Sequence, residues 1–203
     1  MTGELFASLA LFCFVSSITP GPNNLMLMSS GLTFGLARTV PHMLGVALGF
    51  VVMVFGVGVG LGALFEAVPQ LYFALKIVSV VYLLWLAWKI ANSGPLGDGG
   101  KVAGKPMTFL QAAAFQWVNP KAWVMAVTAI AAYAPKSAFL TNVVIVSLVF
   151  GIINLPCIAA WASFGNLLRA YLREARVVRW INLGMALALV ASLLPLLAEI
   201  VGY

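Results

Sequence analysis

Six long apolar segments alternate with short polar stretches along this chain, at about residues 5–32, 41–65, 69–90, 108–133, 139–166 and 177–198. Each segment is near or above the roughly 20 residues that cross a bilayer core as an α-helix. No strand-like alternation is long enough to build a barrel. The pattern therefore predicts an all-α integral membrane protein with six transmembrane helices.

The chain divides into two halves at its one long hydrophilic stretch, residues 91–107. Three apolar spans precede this stretch, in residues 1–90, and three follow it, in residues 108–203. Because three is odd, the second half must enter the membrane in the reverse orientation, so we expect two inverted three-helix repeats. Residues 1–203 are predicted to form a single transmembrane domain, since so short a chain has no room for a second folded unit.

Helix-breaking and polar residues interrupt the first span of each half. The first interruption is the run TPGPNN, residues 19–24, and the second is QWVNPK, residues 116–121. At an offset of 100 residues, Thr19-Pro20 falls on Asn119-Pro120, and an apolar helix resumes after each. We therefore predict that the first and fourth transmembrane helices are both broken, at PGPNN and at NPK.

Breaks of this kind create polar sites inside a membrane. A proline lacks an amide hydrogen and clashes with the preceding turn, which is costly in hydrocarbon unless the freed groups line a cavity or bind a ligand. The half-helix that follows offers amides to a carboxylate, and the half-helix that precedes offers carbonyls to an ammonium group. Matched breaks in inverted halves point to the midplane site of a secondary transporter, working by rocking of the two halves. The competing interpretation is that the prolines only kink packed helices.

The predicted substrate-binding residues are those of the two interruptions and one further amide: Thr19, Pro20, Gly21, Pro22, Asn23, Asn24, Gln116, Asn119, Pro120, Lys121 and Asn154. Lys121 has two interpretations, neutralising a substrate carboxylate or holding carbonyls freed by Pro120. Asn154 either faces the same cavity or bonds a neighbouring helix, and we expect a further local break at the following Pro156. His42, beside Pro41 at the start of the second span, is a candidate for proton coupling or an ordinary interfacial residue.

Composition and charge exclude a soluble domain. The chain is 63% hydrophobic and only 8% charged, with a mean hydropathy of +1.07, and its net charge of +6 reflects membrane anchoring rather than nucleic-acid binding. Eight cations follow the first, third and fifth spans: Arg38, Lys89, Lys101, Lys105, Arg169, Arg173, Arg176 and Arg179. On the opposite side there are only Lys136 and, some way into the third span, Lys76. This asymmetry predicts that both termini face away from the cytoplasm.

The acidic residues lie in loops or near helix ends: Glu4, Glu66, Asp98, Glu174 and Glu199. With no carboxylate in the middle of a span to pair with a cationic side chain, a cationic substrate is disfavoured and a substrate with a neutral side chain fits better. The chain contains no HExxH, no GxSxG and no intramembrane Asp pair. We therefore expect a protein that is not an enzyme and that binds no metal and no cofactor.

The alternative function is a membrane thiol–disulfide electron carrier using Cys13 and Cys157. A redox pair should occupy matched positions in the two halves, but Cys13 lies in a first span and Cys157 in a second span. A channel would need a continuous polar lining, whereas the polar residues cluster at the two breaks. Gly45 and Gly49, at the four-residue spacing of close helix contacts, favour packing within the chain over a homodimer face, which stays open.

The stretch TPGPNNLMLMSSGLTFGLARTVPHMLGVALGF, residues 19–50, and the stretch FQWVNPKAW, residues 115–123, resemble the two signatures of the lysine exporter (LysE/RhtB) family. Within that family, PGPNN and LAWKIA, residues 86–91, look closest to the exporters of cysteine and O-acetylserine. The resemblance implies efflux of amino acids across a bacterial inner membrane, driven by the proton-motive force. With no carboxylate inside a span, neutral amino acids such as threonine, homoserine, cysteine or O-acetylserine fit this chain better than lysine or arginine. In that setting both termini are predicted to be periplasmic.

Overall fold

The computed structural model describes residues 1–61, 63, 67–92, 105–171 and 175–201, and every regular element in them is helical. The α-helices in these residues are α1 (Gly3–Ile18), α2 (Pro22–Phe34), α3 (Leu36–Gly56), α4 (Pro69–Ala91), α5 (Phe109–Phe115), α6 (Pro120–Tyr133), α7 (Phe139–Tyr171), α8 (Ala175–Ala191) and α9 (Leu194–Val201). A π-helical segment, Val57–Leu61, follows α3, and a 3₁₀ turn, Gln116–Val118, follows α5. Most of the predicted 91–107 loop, with Lys101, lies outside the described residues, as does Arg173.

Four helical stretches of the described chain are long and apolar enough to cross a membrane: Leu36–Leu61, Phe73–Ala91, Phe139–Arg169 and Arg176–Ala198. Helices α1 and α2 count as a fifth if the pair, bent by 53°, is one span. Helices α5 and α6, of 7 and 14 residues, are each too short to cross alone. The protein is thus an all-helical membrane protein, and a sixth span requires α5 and α6 to form one interrupted helix.

Local sequence signals explain where several helices begin and end. Helix α1 begins after Thr2, whose Oγ1 accepts a hydrogen bond from the Leu5 amide at 3.3 Å. Helix α5 begins with a capping box between Thr108 and Gln111. The turn from α2 to α3 is made by Gly35 at a φ of +83°, a conformation that favours glycine.

Two prolines lie within helices rather than at their ends. Helix α3 begins at Leu36, so Pro41 and His42 are inside it and not at its entrance. Helix α7 runs unbroken through Pro156, and the predicted local break after Asn154 is therefore wrong. One proline removes a single helical hydrogen bond, which packing against neighbouring helices can outweigh.

Helix α2 of the first half packs closely against α7 of the second half. A methyl group in place of the Gly31 hydrogen would overlap the Ala162 carbonyl oxygen, and one at Gly165 would overlap that of Met28. Glycine on both helices therefore brings the two backbones into direct contact.

An equivalent contact joins α3 of the first half to α5 of the second half. Side chains at Gly45 and Gly49 would overlap the backbone of Phe109 and Ala113. These glycines thus pack within the chain, as their spacing predicts. Helices α4 and α8 also lie against each other, so each half is held mainly by the other half.

Candidate functional site

The first interruption is a bend of 53° between α1 and α2. Thr19, which precedes Pro20, has extended backbone angles (φ −63°, ψ 142°), as expected for a residue before proline. Gly21 is fully extended (φ −176°, ψ 178°), and α2 then begins with Pro22 in its first turn, where a missing amide hydrogen is tolerated. The chain therefore leaves the helix at Thr19 and re-enters it at Pro22.

The carbonyl oxygens at the end of α1 accept hydrogen bonds from side chains of other elements. Asn24 Nδ2 donates to the carbonyls of Ser17 and Thr19, both at 2.8 Å. Trp161 Nε1, from α7, donates to the Ile18 carbonyl at 3.0 Å. The group of free carbonyls that the proline pattern predicts is therefore bonded by the protein itself.

Lys121, from the second interruption, completes this arrangement at the first. Its Nζ donates to the Thr19 carbonyl at 2.8 Å, to Thr19 Oγ1 at 2.9 Å and to the Pro20 carbonyl at 3.3 Å. The lysine thus holds carbonyls of the opposite half rather than those freed by Pro120. A charged donor is well suited to several such acceptors at once.

The second interruption is shorter than the first. The 3₁₀ turn Gln116–Val118 leads to Asn119, which has extended backbone angles (φ −95°, ψ 107°), and α6 begins at Pro120. Asn23 Nδ2 donates to Gln116 Oε1 at 2.8 Å, and Gln116 Nε2 donates back to Asn23 Oδ1 at 3.2 Å. This reciprocal pair of amides ties the two interruptions directly together.

A small pocket, with a cavity volume of about 20 Å³, lies between the two interruptions. The residues that line it are Ser16, Ser17, Gly21, Asn23, Asn24, Phe50, Asn119, Lys121, Ala122, Met125 and Asn154. Two polar atoms of this lining, Ser17 Oγ and Asn119 Oδ1, are buried without a hydrogen-bond partner among the described residues. No side chain of the described chain caps the N-terminus of α2 or of α6. The pocket therefore offers two unpaired oxygens and two positive helix ends.

The structure gathers most of the predicted site residues around this pocket. Gly21, Asn23, Asn24, Asn119, Lys121 and Asn154 line it. Gln116 joins it through Asn23, and Thr19 and Pro20 through Lys121, while Pro22 and Pro120 begin the two half-helices.

Sequence reasoning missed Ser16, Ser17, Phe50, Ala122 and Met125. Ser16 and Ser17 could have been found, because they are polar residues in an apolar helix directly before the break. The apolar residues carry no such signal, since nothing in their spacing separates a pocket wall from ordinary core.

His42 lies away from this pocket. It is buried, 2% exposed, and lines a second cavity between α2, α3 and α4. The interfacial position that a helix entrance implies is therefore wrong, because α3 begins earlier and neighbouring helices cover the imidazole. Cys13 and Cys157 are both buried free thiols, and Cys13 packs in the core cluster around Phe50 and Phe150.

The family described as LysE type translocator matches residues 14–197 of the chain. Proteins named cysteine/O-acetylserine efflux protein, from Escherichia coli strain K12, Escherichia coli O9:H4 strain HS and Shigella sonnei strain Ss046, are each 31% identical to it over 194 residues. The alignment covers 94% of this chain and 96% of each relative. No solved structure matches the chain.

Proposed function

Since this chain belongs to the LysE type translocator family, we propose that it exports small neutral amino acids or their derivatives from the cytoplasm. It is a multi-pass protein of the bacterial inner membrane and a translocator rather than an enzyme. Cysteine and O-acetylserine, for which relatives at 31% identity are named, are the first substrates to test, followed by threonine and homoserine. The observation that carries the proposal is the polar pocket between the two helix interruptions.

The proposed binding mode follows from the unsatisfied groups of the pocket. The substrate carboxylate binds at the uncapped N-terminus of α2. There it accepts hydrogen bonds from the backbone N–H groups of Asn23 and Asn24 and lies at the positive end of the helix dipole. The substrate ammonium group donates to Asn119 Oδ1 and Ser17 Oγ, the two buried oxygens that lack a donor. Both ends of an amino acid backbone thus find partners of opposite character.

The charge of the pocket favours a substrate with a neutral side chain. Of its eleven lining residues, Lys121 is the charged one, and it is positive. The side chain of a lysine or arginine substrate would add a further cation, besides the substrate α-ammonium, close to Lys121, and the lining contains no carboxylate to offset the repulsion. Repulsion of this kind supports export of neutral rather than cationic amino acids.

Lys121 is proposed to act as an internal latch at the first interruption. Its ammonium group occupies the carbonyls of Thr19 and Pro20, which are the acceptors that a substrate ammonium would otherwise find at the end of α1. Release of these bonds frees the bend between α1 and α2 to change its angle. The latch therefore couples occupancy of the pocket to the geometry of the broken helix.

The proposed architecture is six spans in two inverted halves, with α1 and α2 forming the first span and α5 to α6 the fourth. Residues 100 positions apart meet where the halves join: the Phe50 and Phe150 rings are 5.0 Å apart, and a side chain at Gly151 would overlap Val51. Gly21 and Lys121, also 100 positions apart, are in contact as well. A residue can contact its own counterpart only near an axis that relates the two halves, so these pairs support the inverted repeat.

The proposed topology places both termini in the periplasm. Gly35, which follows the first proposed span, lies beside Arg169 near the end of α7, and Lys89 and Lys105 line one cavity with Phe34. The segments after the first, third and fifth spans therefore share one cation-rich end, which the positive-inside rule assigns to the cytoplasm. The proposed driving force is the proton-motive force, with His42 as the candidate proton carrier.

Substrate binding can be tested by thermal unfolding of the purified protein in detergent. A ligand at about 100 times its Kd raises the free energy of unfolding by about 2.7 kcal/mol. We expect a rise in the unfolding temperature with O-acetylserine or cysteine, no rise with the corresponding amine that lacks the α-carboxylate, and little rise with lysine.

Two variants locate the effect. Asn119→Ala should abolish the ligand-dependent rise, whereas Asn142→Ala, which removes a buried amide bonded to Pro135 and Ser137 away from the pocket, should retain it. No rise with any neutral amino acid in the wild-type protein would contradict the proposal. Export from proteoliposomes, with and without an imposed proton gradient, then tests the driving force.

A further inference from the structure

A second cavity, with a volume of about 210 Å³, opens at the cation-rich end of the molecule. Its lining comes from α2, α3, the end of α4 and the residues that precede α5: Met26, Ser29, Ser30, Phe34, His42, Leu86, Trp88, Lys89, Ile90, Asn92, Lys105, Pro106 and Met107. It shares no residue with the pocket at the helix interruptions. The two cavities are therefore separate spaces in this structure.

His42 is the most unusual group in this lining. Its side chain is 2% exposed, and neither Nδ1 nor Nε2 has a hydrogen-bond partner among the described residues. A buried imidazole always carries at least one donor, and a buried polar group without a partner is unfavourable. A ligand in the cavity would supply the missing partner once a small movement of the lining exposes one of the ring nitrogens.

The other polar groups of the cavity define the charge of that ligand. Lys89 and Lys105 contribute two ammonium groups to the lining. The hydroxyls of Ser29 and Ser30 already donate within the protein, to Asn182 Oδ1 and to Thr39 Oγ1, because the Thr39 hydroxyl itself donates to the Gly35 carbonyl. None of the lining residues is acidic, within the part of the chain that the structure describes. Lysine and histidine donors together suit an anion, and an apolar wall, which includes Met26 and Leu86, suits a small uncharged remainder.

The position of the cavity relates it to the pocket. Both are lined by α2, which contributes Asn23 to the pocket and Ser30 to the cavity. Seven residues along a helix span about 10 Å. A small molecule that enters from the cation-rich end thus meets His42 before it reaches the broken helices.

We propose that this cavity is a second amino acid site, which receives the substrate carboxylate on His42 and Lys105 before transfer to the pocket at the helix interruptions. The inference rests on the proposed function, because its ligand is the exported amino acid. It adds a cytoplasmic receiving site to the transport path and assigns His42 and Lys105 as substrate-binding residues.

The test is equilibrium binding of radiolabelled O-acetylserine to the purified full-length protein in lipid nanodiscs, measured as moles bound per mole of chain. We expect two sites in the wild type. His42→Leu and Lys105→Gln should each weaken one of them on the order of tenfold, and Asn119→Ala should remove the other. Lys136→Gln, an exposed lysine that lines neither cavity, is the matched control and should keep both sites.

The variants also report on folding. His42→Leu should unfold at a temperature no lower than the wild type, because it removes two buried nitrogens that have no hydrogen-bond partner in the described part of the chain. Lys105→Gln changes an exposed side chain, so it is not expected to affect folding. Its binding result therefore tests the second site even if His42→Leu lowers stability.

The outcomes separate the two proposals. One site per chain, lost in Asn119→Ala and unaffected by His42→Leu and Lys105→Gln, would overturn the second site and leave the proposed function standing. No binding to the wild type would overturn both. Two sites of which one responds to the His42 and Lys105 variants alone would establish the cavity as a substrate site.

Discussion

The two helix interruptions are built from similar sequences but are satisfied in different ways. At the first, the backbone carbonyls from Ser17 to Pro20 accept hydrogen bonds from the side chains of Asn24, Lys121 and Trp161. At the second, Asn119 leaves a buried side-chain oxygen without a partner among the described residues. The freed backbone of the first break is thus bonded by the protein, and its unpaired atom is the hydroxyl of Ser17 in α1, whereas at the second break the unpaired atom belongs to the non-helical residue itself. We therefore expect the first to respond to substitution mainly in stability and the second mainly in binding.

The difference has a local cause. Two prolines and a glycine hold residues 19–21 outside the helix, which exposes several carbonyls and produces the 53° bend. A single proline follows Asn119, so the chain keeps a 3₁₀ turn until one residue before α6. Fewer freed backbone groups need partners at the second break.

Asn24→Ala should have the largest effect on folding. It leaves the Ser17 and Thr19 carbonyls without the amide that bonds both of them, in a buried position. We expect a loss of about 2–3 kcal/mol in the free energy of unfolding, together with a loss of transport. Thermal or denaturant unfolding in detergent measures the loss of stability, and export from proteoliposomes measures the loss of transport. An unchanged unfolding temperature would show that these carbonyls find other partners.

Lys121→Met should have the next largest effect. It removes three hydrogen bonds to Thr19 and Pro20 but acts at a partly exposed position, so we expect a loss of about 1–2 kcal/mol. Lys121→Arg should recover part of the stability because it keeps a charged donor. Export should fall at least tenfold in the Met variant if the lysine latches the bend. Lys136→Met is the control. Equal losses of stability and export in the Lys121→Met and Lys136→Met variants would contradict the role of Lys121 as a latch.

The Phe50–Phe150 pair tests whether the two breaks belong to related halves. The rings pack edge to face at 5.0 Å, and such pairs contribute about 0.5–1.5 kcal/mol beyond the burial of their area. A double-mutant cycle with Phe50→Leu and Phe150→Leu should give a coupling energy in that range. The two single variants should be similarly destabilised if the residues are equivalent. A coupling energy near zero would argue against this contact as the meeting point of the halves.

Asn119→Ala should have the smallest effect on folding and a large effect on binding. It removes a buried oxygen that has no hydrogen-bond partner among the described residues. Because no hydrogen bond is lost, the free energy of unfolding should fall by about 1 kcal/mol or less. The ligand-induced rise in unfolding temperature should disappear. Destabilisation as large as that of Asn24→Ala would show that both interruptions contribute equally to stability, which would contradict the difference proposed between them.

The sequence predicts which residues form the site better than it predicts the hydrogen bonds between them. Proline chemistry and the offset of 100 residues are enough to bring residues 19–24 and 116–121 together, because both features are local or periodic. The bonds from Lys121 to the carbonyls of Thr19 and Pro20 depend on how α6 faces α1, and no local signal carries that information. The sequence therefore left two roles for Lys121 open, and its partners come from the other half.

His42 and Pro156 show a similar limit. Pro41 reads as the start of a helix and Pro156 as a helix break, yet α3 and α7 continue through them. Whether one missing hydrogen bond ends a helix depends on tertiary packing, which sequence spacing does not reveal. The burial of His42 follows from the same packing, since α2, α4 and residues 105–107 surround the second cavity.

The glycine contacts between α2 and α7, and between α3 and α5, also limit how the protein can move. Each joins a helix from residues 1–90 to a helix from residues 108–203, and each brings backbone against backbone. A rigid swing of one sequence half past the other would have to pull both contacts apart. The mechanical units of the transport cycle are therefore expected to be mixed bodies, such as α2 with α7, that turn about the extended residues Thr19 to Gly21.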